Sequence, residues 1–359
     1  EGLFLALDLG GTNFRVLLLE LVNGVVVRED VKKYHIDAHL RTDSGIPLFE
    51  YLAECVSNFV ISEGLQDVEL PLVNKDAVQL LKDALARRGD TRVKVVAVLN
   101  DTTGTLIQGA TQDRHTAIGL ILGTGSNACY LERADKVEHW EPERHGEREV
   151  IIDIEWGAFG DNGVLDFIKT EFDLENDANS LMVNSFTFEK YISGKYLGEI
   201  VRIILVRLMK DGLLFTRQTS ESLLIPGSFI TDYVSLIEQD TVDGCWLHTK
   251  EVLAKFHIVP DEEDIKIVQY VCEVASNRAA LLVSICLATL LDHMEREEVT
   301  IAVDGSLYKH HPRLESWMNK YISLLTPARK FKLIHAQDGS GKGAAIVAAI
   351  ALRIKSRLE

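Results

Sequence analysis

The sequence has few cysteines, a deficit of basic residues and no apolar run long enough to span a bilayer. Its five cysteines are scattered and contain no CxxC pair, which predicts reduced thiols in the cytoplasm. The longest apolar run, Ala279–Leu291, is shorter than the roughly 20 residues that a membrane-spanning helix needs. No signal peptide is recognisable. We therefore expect a cytoplasmic protein without a transmembrane segment.

The deficit of basic residues limits the choice of partners. The chain has 38 Lys and Arg against 54 Asp and Glu, a formal net charge of −16. Nucleic-acid binding needs a basic surface, so no nucleic-acid partner is expected. A nucleotide remains compatible, because backbone amides and magnesium can hold phosphates locally. The 359 residues are enough for two domains with full cores.

Two parts of the chain follow the same order of elements. Strands are predicted at Phe4–Asp8 and Phe14–Val22, joined by a tight turn at Gly10-Gly11. A strand is likewise predicted at Thr116–Leu122, before the glycine turn Gly123–Asn127. Further strands and helices follow in both parts. The repetition predicts two similar α/β domains with a cleft between them.

Three polar stretches are candidates for chemistry. The apolar run Lys94–Leu99 predicts a buried strand, and Asp101 follows it closely. A carboxylate there suits a catalytic base, although an Asp that caps the next turn is the more common case. The glycine stretches 8–13 and 123–127 can present backbone N–H groups to phosphate, or can be ordinary hairpin turns.

Two other motifs carry weaker signals. Asp338–Gly343 resembles a P-loop, but a glycine follows Lys342 where the Walker motif has Ser or Thr. We expect a glycine turn there, before a helix at 344–352 whose amino terminus faces the cleft. The pair His310-His311 has no acidic or cysteine partner at ligand spacing, so metal binding by these residues is not expected.

Seven stretches, in order and nearly from end to end, resemble the eukaryotic hexokinase family of ATP-dependent sugar kinases. They are Leu5–Leu18, Val95–Leu106, Ile118–Tyr130, Glu155–Gly163, Phe188–Arg202, Val303–Pro312 and Asp338–Ala349. The resemblance implies a duplicated actin-like (RNase H-like) α/β fold with an active-site cleft between a small and a large domain. We expect a small domain at 1–99, with helix 344–359 packing back on it, and a large domain at 100–343.

The resemblance also implies phosphorylation of the 6-hydroxyl of glucose and related hexoses, the first step of glycolysis, with ATP and Mg²⁺. Asp101 would be the general base. The sugar-binding positions implied are Asn100, Asn127, Glu155 and Glu189. The nucleotide- and phosphate-binding positions implied are Asp8, Gly11, Thr12, Asn13, Thr124, Gly194, Lys195, Thr231, Ser235, Ser306, Leu307, Tyr308 and Lys309. No residue is implied to bind the metal directly: ATP carries it, with Asp8 acting through water.

The chain departs from the family between Leu72 and Val73. A family segment that supplies a Ser, a Thr and a Lys to the site is missing there, and we expect the complete protein to carry it. Its absence favours a non-catalytic sugar sensor or regulatory unit, whereas the intact Asp101 argues against one. An actin- or chaperone-type ATPase is a further alternative. We expect a monomer, and association with the mitochondrial outer membrane would need a segment outside this chain.

Overall fold

The computed structural model describes residues 2–9, 13–22, 25–37, 39–40, 45–63, 70–72, 77–88, 93–139, 146–216 and 218–358. The strands of these residues are β1 (Gly2–Leu9), β2 (Asn13–Val22), β3 (Val25–His35), β4 (Leu70–Leu72), β5 (Val93–Val95), β6 (Thr116–Leu122), β7 (Ser126–Arg133), β8 (Glu149–Asp153), β9 (Glu298–Asp304) and β10 (Lys330–His335).

The α-helices of the same residues vary from four to 33 residues in length. They are α1 (Gly45–Ser62), α2 (Ala77–Arg87), α3 (Asp101–Gln112), α4 (Glu171–Ala178), α5 (Thr187–Ile192), α6 (Leu197–Lys210), α7 (Glu221–Leu224), α8 (Thr231–Asp243), α9 (Leu247–Lys255), α10 (Glu262–Met294), α11 (Ser306–His310), α12 (Leu314–Leu325) and α13 (Gly339–Leu358).

The chain forms two compact units, residues 1–119 with 336–359 and residues 120–335. These units do not coincide with the boundaries 1–99 and 100–343 expected from the sequence. The reason is that α3 packs with α13 in the first unit, so the chain leaves that unit only within β6.

The first unit is built on the antiparallel sheet β1-β2-β3. The strands predicted at Phe4–Asp8 and Phe14–Val22 are confirmed, while the predicted turn at Gly10-Gly11 lies outside the described residues. Successive side chains of a strand point to opposite faces. In β2, Val16 and Leu18 pack in one core with α1 and α2. Leu17 and Leu19 pack on the other face with α13.

The second unit is built on a five-stranded sheet in the order β10-β9-β6-β7-β8. β10 and β9 are parallel, and β7 and β8 are antiparallel. The strand predicted at Thr116–Leu122 is confirmed as β6. Because β6 lies in the middle of the sheet, the turn that follows it is held by neighbouring strands on both sides.

The longest helix is α10, with 33 residues. Within the described parts of the chain, it alone has the length and composition of a membrane-spanning helix, and half of its most apolar window is buried inside the protein. Core helices pass the same test, so this finding is weak evidence for a membrane, and the absence of a transmembrane segment stays a prediction.

Candidate active site

Asn100 and Asp101 lie at the amino terminus of α3, in the first unit. Asn100 is the N-cap: its Oδ1 accepts hydrogen bonds from the Thr102 backbone N–H at 2.9 Å and from the Thr102 hydroxyl at 2.7 Å. The same N–H donates to Asp101 Oδ1 at 2.9 Å. Thr102 is buried, whereas Asp101 is exposed. The cap thus anchors a carboxylate that a reactant can reach.

The buried strand predicted over Lys94–Leu99 is confirmed only at Lys94 and Val95, and is wrong for the residues directly before Asp101. β5 ends at Val95, residues 96–100 have no regular structure, and Val98 is 62% exposed. Asn100 and Asp101 satisfy the free N–H groups at a helix start, so the polar stretch begins α3 instead of ending a strand.

Glycines bring α3 and α13 into close contact. A Cβ on Gly343 would lie 2.0 Å from the backbone oxygen of Gly104, and a Cβ on Gly104 would lie 2.6 Å from the backbone oxygen of Ser340. α13 begins at Gly339, so the expected turn at Asp338–Gly343 is mostly helical, which corrects the sequence prediction. These glycines serve helix packing, and the packing fixes the position of the α3 amino terminus.

Arg15 connects Asp8 to the start of α13. Its Nε donates to Asp8 Oδ2 at 2.6 Å, and its Nη2 makes an ion pair with the same oxygen. Its Nη1 donates to Asp338 Oδ1 at 2.7 Å and its Nη2 to Ser340 Oγ at 3.0 Å. Asp8 is thus held in a fixed orientation. Asn13 is exposed at the start of β2, and the predicted Gly11 and Thr12 lie outside the described residues.

In the second unit, three predicted nucleotide stretches meet at the turn after β6. The Gly194 N–H donates to the Gly123 oxygen at 2.9 Å, and the Lys195 N–H donates to the Thr124 oxygen at 3.0 Å. A Cβ on Gly194 would lie 2.7 Å from the Gly123 oxygen. Gly305 has φ +118°, and a Cβ there would lie 2.3 Å from the Leu122 oxygen. Only glycine allows this convergence of three backbones.

Thr231 fastens the Gly194 loop to α8. Its hydroxyl donates to the Gly194 oxygen at 2.6 Å and accepts from the Gly198 N–H at 2.9 Å. Ser235 lies one turn further along α8 and is half-buried.

Lys195 is exposed, with its Nζ 5.1 Å from the centre of the Tyr196 ring.

The stretch Ser306–Lys309 alternates in exposure. Ser306 and Lys309 are exposed, whereas Leu307 and Tyr308 are buried. We call the place where the backbones of Gly123, Gly194 and Gly305 meet the glycine cradle. A ligand there could contact the side chains of Ser306 and Lys309, but only the backbone of the two buried residues.

A cluster of carboxylates surrounds Asn127 on β7. The Asn127 Nδ2 donates to Asp153 Oδ1 at 2.8 Å and to Glu155 Oε1 at 2.9 Å. Asp153 ends β8 and pairs with Cys129 of β7, so the sheet register places it beside Asn127. Glu155 has φ +51°, an uncommon backbone conformation for a residue with a side chain. Glu155 lies just beyond the end of β8, and in this backbone conformation its side chain reaches Asn127.

Glu189 reaches the same turn from α5. Its Oε2 accepts a hydrogen bond from the Ser126 N–H at 3.2 Å. A Cβ on Gly125 would lie 2.8 Å from that oxygen, so a glycine at this position gives the carboxylate its room. The Ser126 hydroxyl accepts from the indole Nε1 of Trp156 at 3.1 Å, which ties the residue after Glu155 to the turn.

The carboxylates around Asn127 are suited to hydrogen bonding with neutral polar groups. Partial desolvation and the nearby charge of Asp153 raise the pKa of Glu155, Glu189 adds to the rise, and the hydrogen bond from Asn127 lowers it. Carboxylates and amides accept and donate in fixed directions, an arrangement suited to a ligand rich in hydroxyl groups.

The structure brings Asn127, Glu155 and Glu189 together in the second unit, while Asn100 and Asp101 belong to the first. Sequence reasoning missed Arg15 and Asp153. A single Arg within the apolar strand β2 was an available signal for the first, whereas nothing distinguished Asp153 before the register of β7 and β8 was known. Across the described residues, no group of three or more His, Cys, Asp or Glu side chains has a metal-binding arrangement.

Comparison with known proteins identifies the family. A family model described as hexokinase matches residues 117–350, and a second hexokinase model matches residues 1–72 and 65–111. The chain belongs to the hexokinase family. The resemblance drawn from the seven sequence stretches is thereby confirmed.

Relatives and solved structures support this hexokinase assignment along the chain. Human Hexokinase-2 is 39% identical over 392 positions, covering 99% of this chain and 42% of the relative. Hexokinase of Brugia malayi is 35% identical over 393 positions, covering 99% of this chain and 68% of the relative. The structure of Schistosoma mansoni hexokinase complexed with glucose is 38% identical, with a TM-score of 0.90 over 97% of this chain and 85% of that one.

The fold itself extends beyond close relatives. A glucokinase of the ROK family from Streptomyces griseus is 14% identical with a TM-score of 0.58, over 97% of this chain and all of that one. This likeness concerns the fold alone. The predicted fold class, a duplicated actin-like α/β fold, is confirmed by the hexokinase structures and by this wider similarity.

The chain spans less than half the length of human Hexokinase-2, 42%. Because that alignment runs over 392 positions and the chain has 359 residues, at least 33 positions of the relative have no counterpart here. The model that matches 1–72 and 65–111 does so in two pieces that overlap at 65–72. This break agrees with the missing segment expected between Leu72 and Val73.

Proposed function

We propose that this chain transfers a phosphoryl group from ATP to the 6-hydroxyl of glucose and related hexoses, the first step of glycolysis. One observation carries the proposal: a single turn, Gly123–Asn127, joins a hydroxyl-binding cluster to a glycine-lined cradle. The Gly123 end of the turn contacts Gly194, and the other end contacts Glu189. The glucose in the structure of the Schistosoma mansoni relative supports the choice of sugar.

The hexose hydroxyls bind to the amides and carboxylates of Asn100, Asn127, Glu155 and Glu189. Within the first unit, Asn100 is held by Thr102, and within the second unit the side chains of Asn127, Glu155 and Glu189 are held by the bonds described above. Little side-chain ordering therefore remains within either unit on binding. A site that makes a hydrogen bond to each hydroxyl discriminates strongly against sugars that lack one of them. The polar group that would have bound the missing hydroxyl then loses its partner.

The nucleotide binds at the glycine cradle of the second unit. Gly194 and Gly305 let three backbone segments pack directly against one another, because a Cβ at either position would collide with Gly123 or Leu122. Glycine-rich turns without side chains allow a phosphate to approach the backbone closely. The residues that would line this site are Thr124, Gly194, Lys195, Thr231, Ser235, Ser306, Leu307, Tyr308 and Lys309. Asp8, with Oδ2 held by Arg15, would hold a metal-coordinated water, together with Gly11, Thr12 and Asn13. Mg²⁺ carried by ATP supplies charge neutralisation.

Asp101 acts as the general base. Its carboxylate takes the proton of the sugar 6-hydroxyl as that oxygen forms its bond to the phosphoryl group. The exposure of Asp101 at the α3 amino terminus makes it accessible to the hydroxyl, and the Asn100 cap fixes the backbone beneath it. Phosphoryl transfer needs mainly positioning, charge neutralisation and one group that accepts this proton.

The proposal is tested by measuring glucose-dependent formation of ADP. In Asp101→Asn, we expect kcat to fall by about 10²–10⁴-fold, because the proton acceptor is lost. The glucose Kd should stay within a few-fold, since the side chain keeps its size. Asp135→Asn, an exposed aspartate paired with Arg133, is the matched control and should keep full activity.

Three results would contradict the proposal. Near-normal kcat in Asp101→Asn would remove Asp101 as the base. Glucose binding without any ATP consumption by the wild-type chain would identify a sugar sensor or regulatory unit, the role that the missing segment favours. Glucose-independent ATP hydrolysis would instead indicate an actin- or chaperone-type ATPase.

We also infer that the protein acts in the cytoplasm as a monomer on small molecules and binds no nucleic acid. The five free cysteines and the net charge of −16 support this setting. Attachment to the mitochondrial outer membrane would depend on residues outside this chain.

A further inference from the structure

Asp153 has no role in the proposed reaction, yet it shares Asn127 with Glu155. The Asn127 Nδ2 lies 2.8 Å from Asp153 Oδ1 and 2.9 Å from Glu155 Oε1. An amide nitrogen has two hydrogens, so each carboxylate receives one. The Asn127 Oδ1 accepts from the Ala128 N–H at 2.7 Å, which fixes the other side of the amide. Asp153 therefore determines how Asn127 is presented to Glu155.

The same arrangement brings negative charges together. The two carboxyl oxygens bonded to Nδ2 lie within about 6 Å of each other, a separation at which like charges favour protonation of one group. Partial desolvation and then the charge of Asp153 raise the pKa of Glu155, in agreement with this geometry. The charge of Glu189 also acts on Glu155 and raises its pKa.

We propose that Asp153 is a positioning residue of the hexose site, which holds the Asn127 amide against Glu155 and couples sugar binding to proton release from Glu155. This inference rests on the proposed function. A sugar hydroxyl donates a stronger hydrogen bond to an ionised carboxylate than to a neutral carboxyl group, so sugar binding favours the ionised form of Glu155. A proton held by Glu155 then leaves to water on binding, and sugar affinity falls as the pH is lowered.

Two variants of Asp153 separate charge from hydrogen bonding. In Asp153→Asn, the amide oxygen can still accept from Asn127 but the charge is gone. Glucose affinity near neutral pH should stay within about threefold, and the acid limb of affinity against pH should move down by about 0.5 to 1 pH unit. In Asp153→Ala, the acceptor is lost as well, so the KM for glucose should rise at every pH, with a smaller change in kcat.

Calorimetric titration with glucose from pH 5 to 8 measures these affinities without ATP. Asp135→Asn is the control, because it removes an exposed carboxylate in the 3-10 turn beyond the end of β7, and the strand from Asn127 to Arg133 alone spans about 20 Å. It should leave the pH profile unchanged. A second readout is carboxyl-carbon NMR of the sugar-free chain, with the Glu155 signal identified by Glu155→Gln. There, Asp153→Asn should lower the pH at which Glu155 titrates.

The outcomes are distinguishable. If the wild-type chain binds no hexose, the proposed function fails, and the sugar role of Asp153 fails with it. If the wild type binds glucose but Asp153→Asn changes neither the acid limb nor the titration of Glu155, the coupling is overturned and the proposed function stands. An equal loss of affinity in the Asn and Ala variants would likewise overturn the positioning role.

Discussion

Gly125 is the residue through which the geometry of the proposed hexose site can be tested most directly. A Cβ added there would lie 2.8 Å from Glu189 Oε2, the end of a flexible side chain. The backbone need not move, so Gly125→Ala should fold normally. The carboxylate must move instead, and it then loses its bond to Ser126. A displaced Glu189 would also lose its proposed hydrogen bond to the sugar, and such a bond to a charged group contributes about 1.5–3 kcal/mol, so we expect the KM for glucose to rise by about 10- to 100-fold. Steady-state kinetics with glucose and ATP varied separately measure this change.

The double variant Gly125→Ala/Glu189→Asp provides the control. The shorter carboxylate makes room for the added methyl group. The fold-increase in KM of the double variant should therefore be smaller than the product of the fold-increases of the two single variants. A fold-increase equal to that product would show that the collision with Glu189 is not the cause.

At the scale of elements, the contact between α3 and α13 positions Asp101. Alanine is favoured over glycine in a helix by about 1 kcal/mol, so propensity alone would make Gly104→Ala stabilising. The added Cβ would lie 2.6 Å from the Ser340 backbone oxygen, however, and a backbone atom in a packed helix cannot easily move. We expect a net destabilisation of about 1–3 kcal/mol, as for other overpacked cores, and reduced turnover. Thermal unfolding followed by circular dichroism measures the change.

The matched control is Ala110→Gly on the exposed face of the same helix. It should cost about 1 kcal/mol through propensity, with little effect on turnover. A higher Tm for Gly104→Ala than for the wild type would refute the close packing of these two helices.

The elements could be predicted from the sequence where a local pattern determines them. The apolar runs of β2 and β6, each next to a glycine-rich turn, identified both strands. The pattern failed at Lys94–Leu99, because an apolar β-branched run does not reveal that a helix start follows it. It failed again at Gly339, because glycines selected for helix packing resemble glycines of a turn. Asp153 was unpredictable for a third reason: its contact with Asn127 depends on the register of two strands.

At the scale of the whole molecule, the pH dependence of stability involves two buried groups of the second unit, Glu238 and His311. Their pKa values are shifted in opposite directions on folding. Glu238 is fully buried and bonds to Arg313 at 3.1 Å. Burial raises the pKa of Glu238 to about 7, against an opposing effect of Arg313. His311 is buried too, and its Nδ1 accepts from the Arg313 N–H at 3.3 Å. Burial and then the charge of Arg313 lower the pKa of His311 to about 4.

The direction in which each group changes the stability with pH depends on how many protons the group binds in the folded and in the unfolded state. Between about pH 4.3 and 7 the folded state binds more protons at Glu238 than the unfolded state does, so the contribution of Glu238 falls as pH rises. Between about pH 4 and 6.5 the folded state binds fewer protons at His311, so the contribution of His311 is lost as pH falls. In the wild type, the contributions of Glu238 and His311 to stability therefore change in opposite directions over most of the range from pH 4 to 7.

Single variants should reveal each slope. Relative to the wild type, Glu238→Gln should gain stability as pH rises from 5 to 7.5, by up to about 3 kcal/mol, because the variant no longer has to ionise a buried carboxyl group. His311→Asn, whose amide oxygen can replace Nδ1, should gain relative to the wild type as pH falls from 6.5 to 4. All four tryptophans lie between Leu120 and His335, so urea unfolding followed by tryptophan fluorescence reports on this unit. Parallel pH profiles for the wild type and both variants would mean that neither group changes its proton affinity on folding.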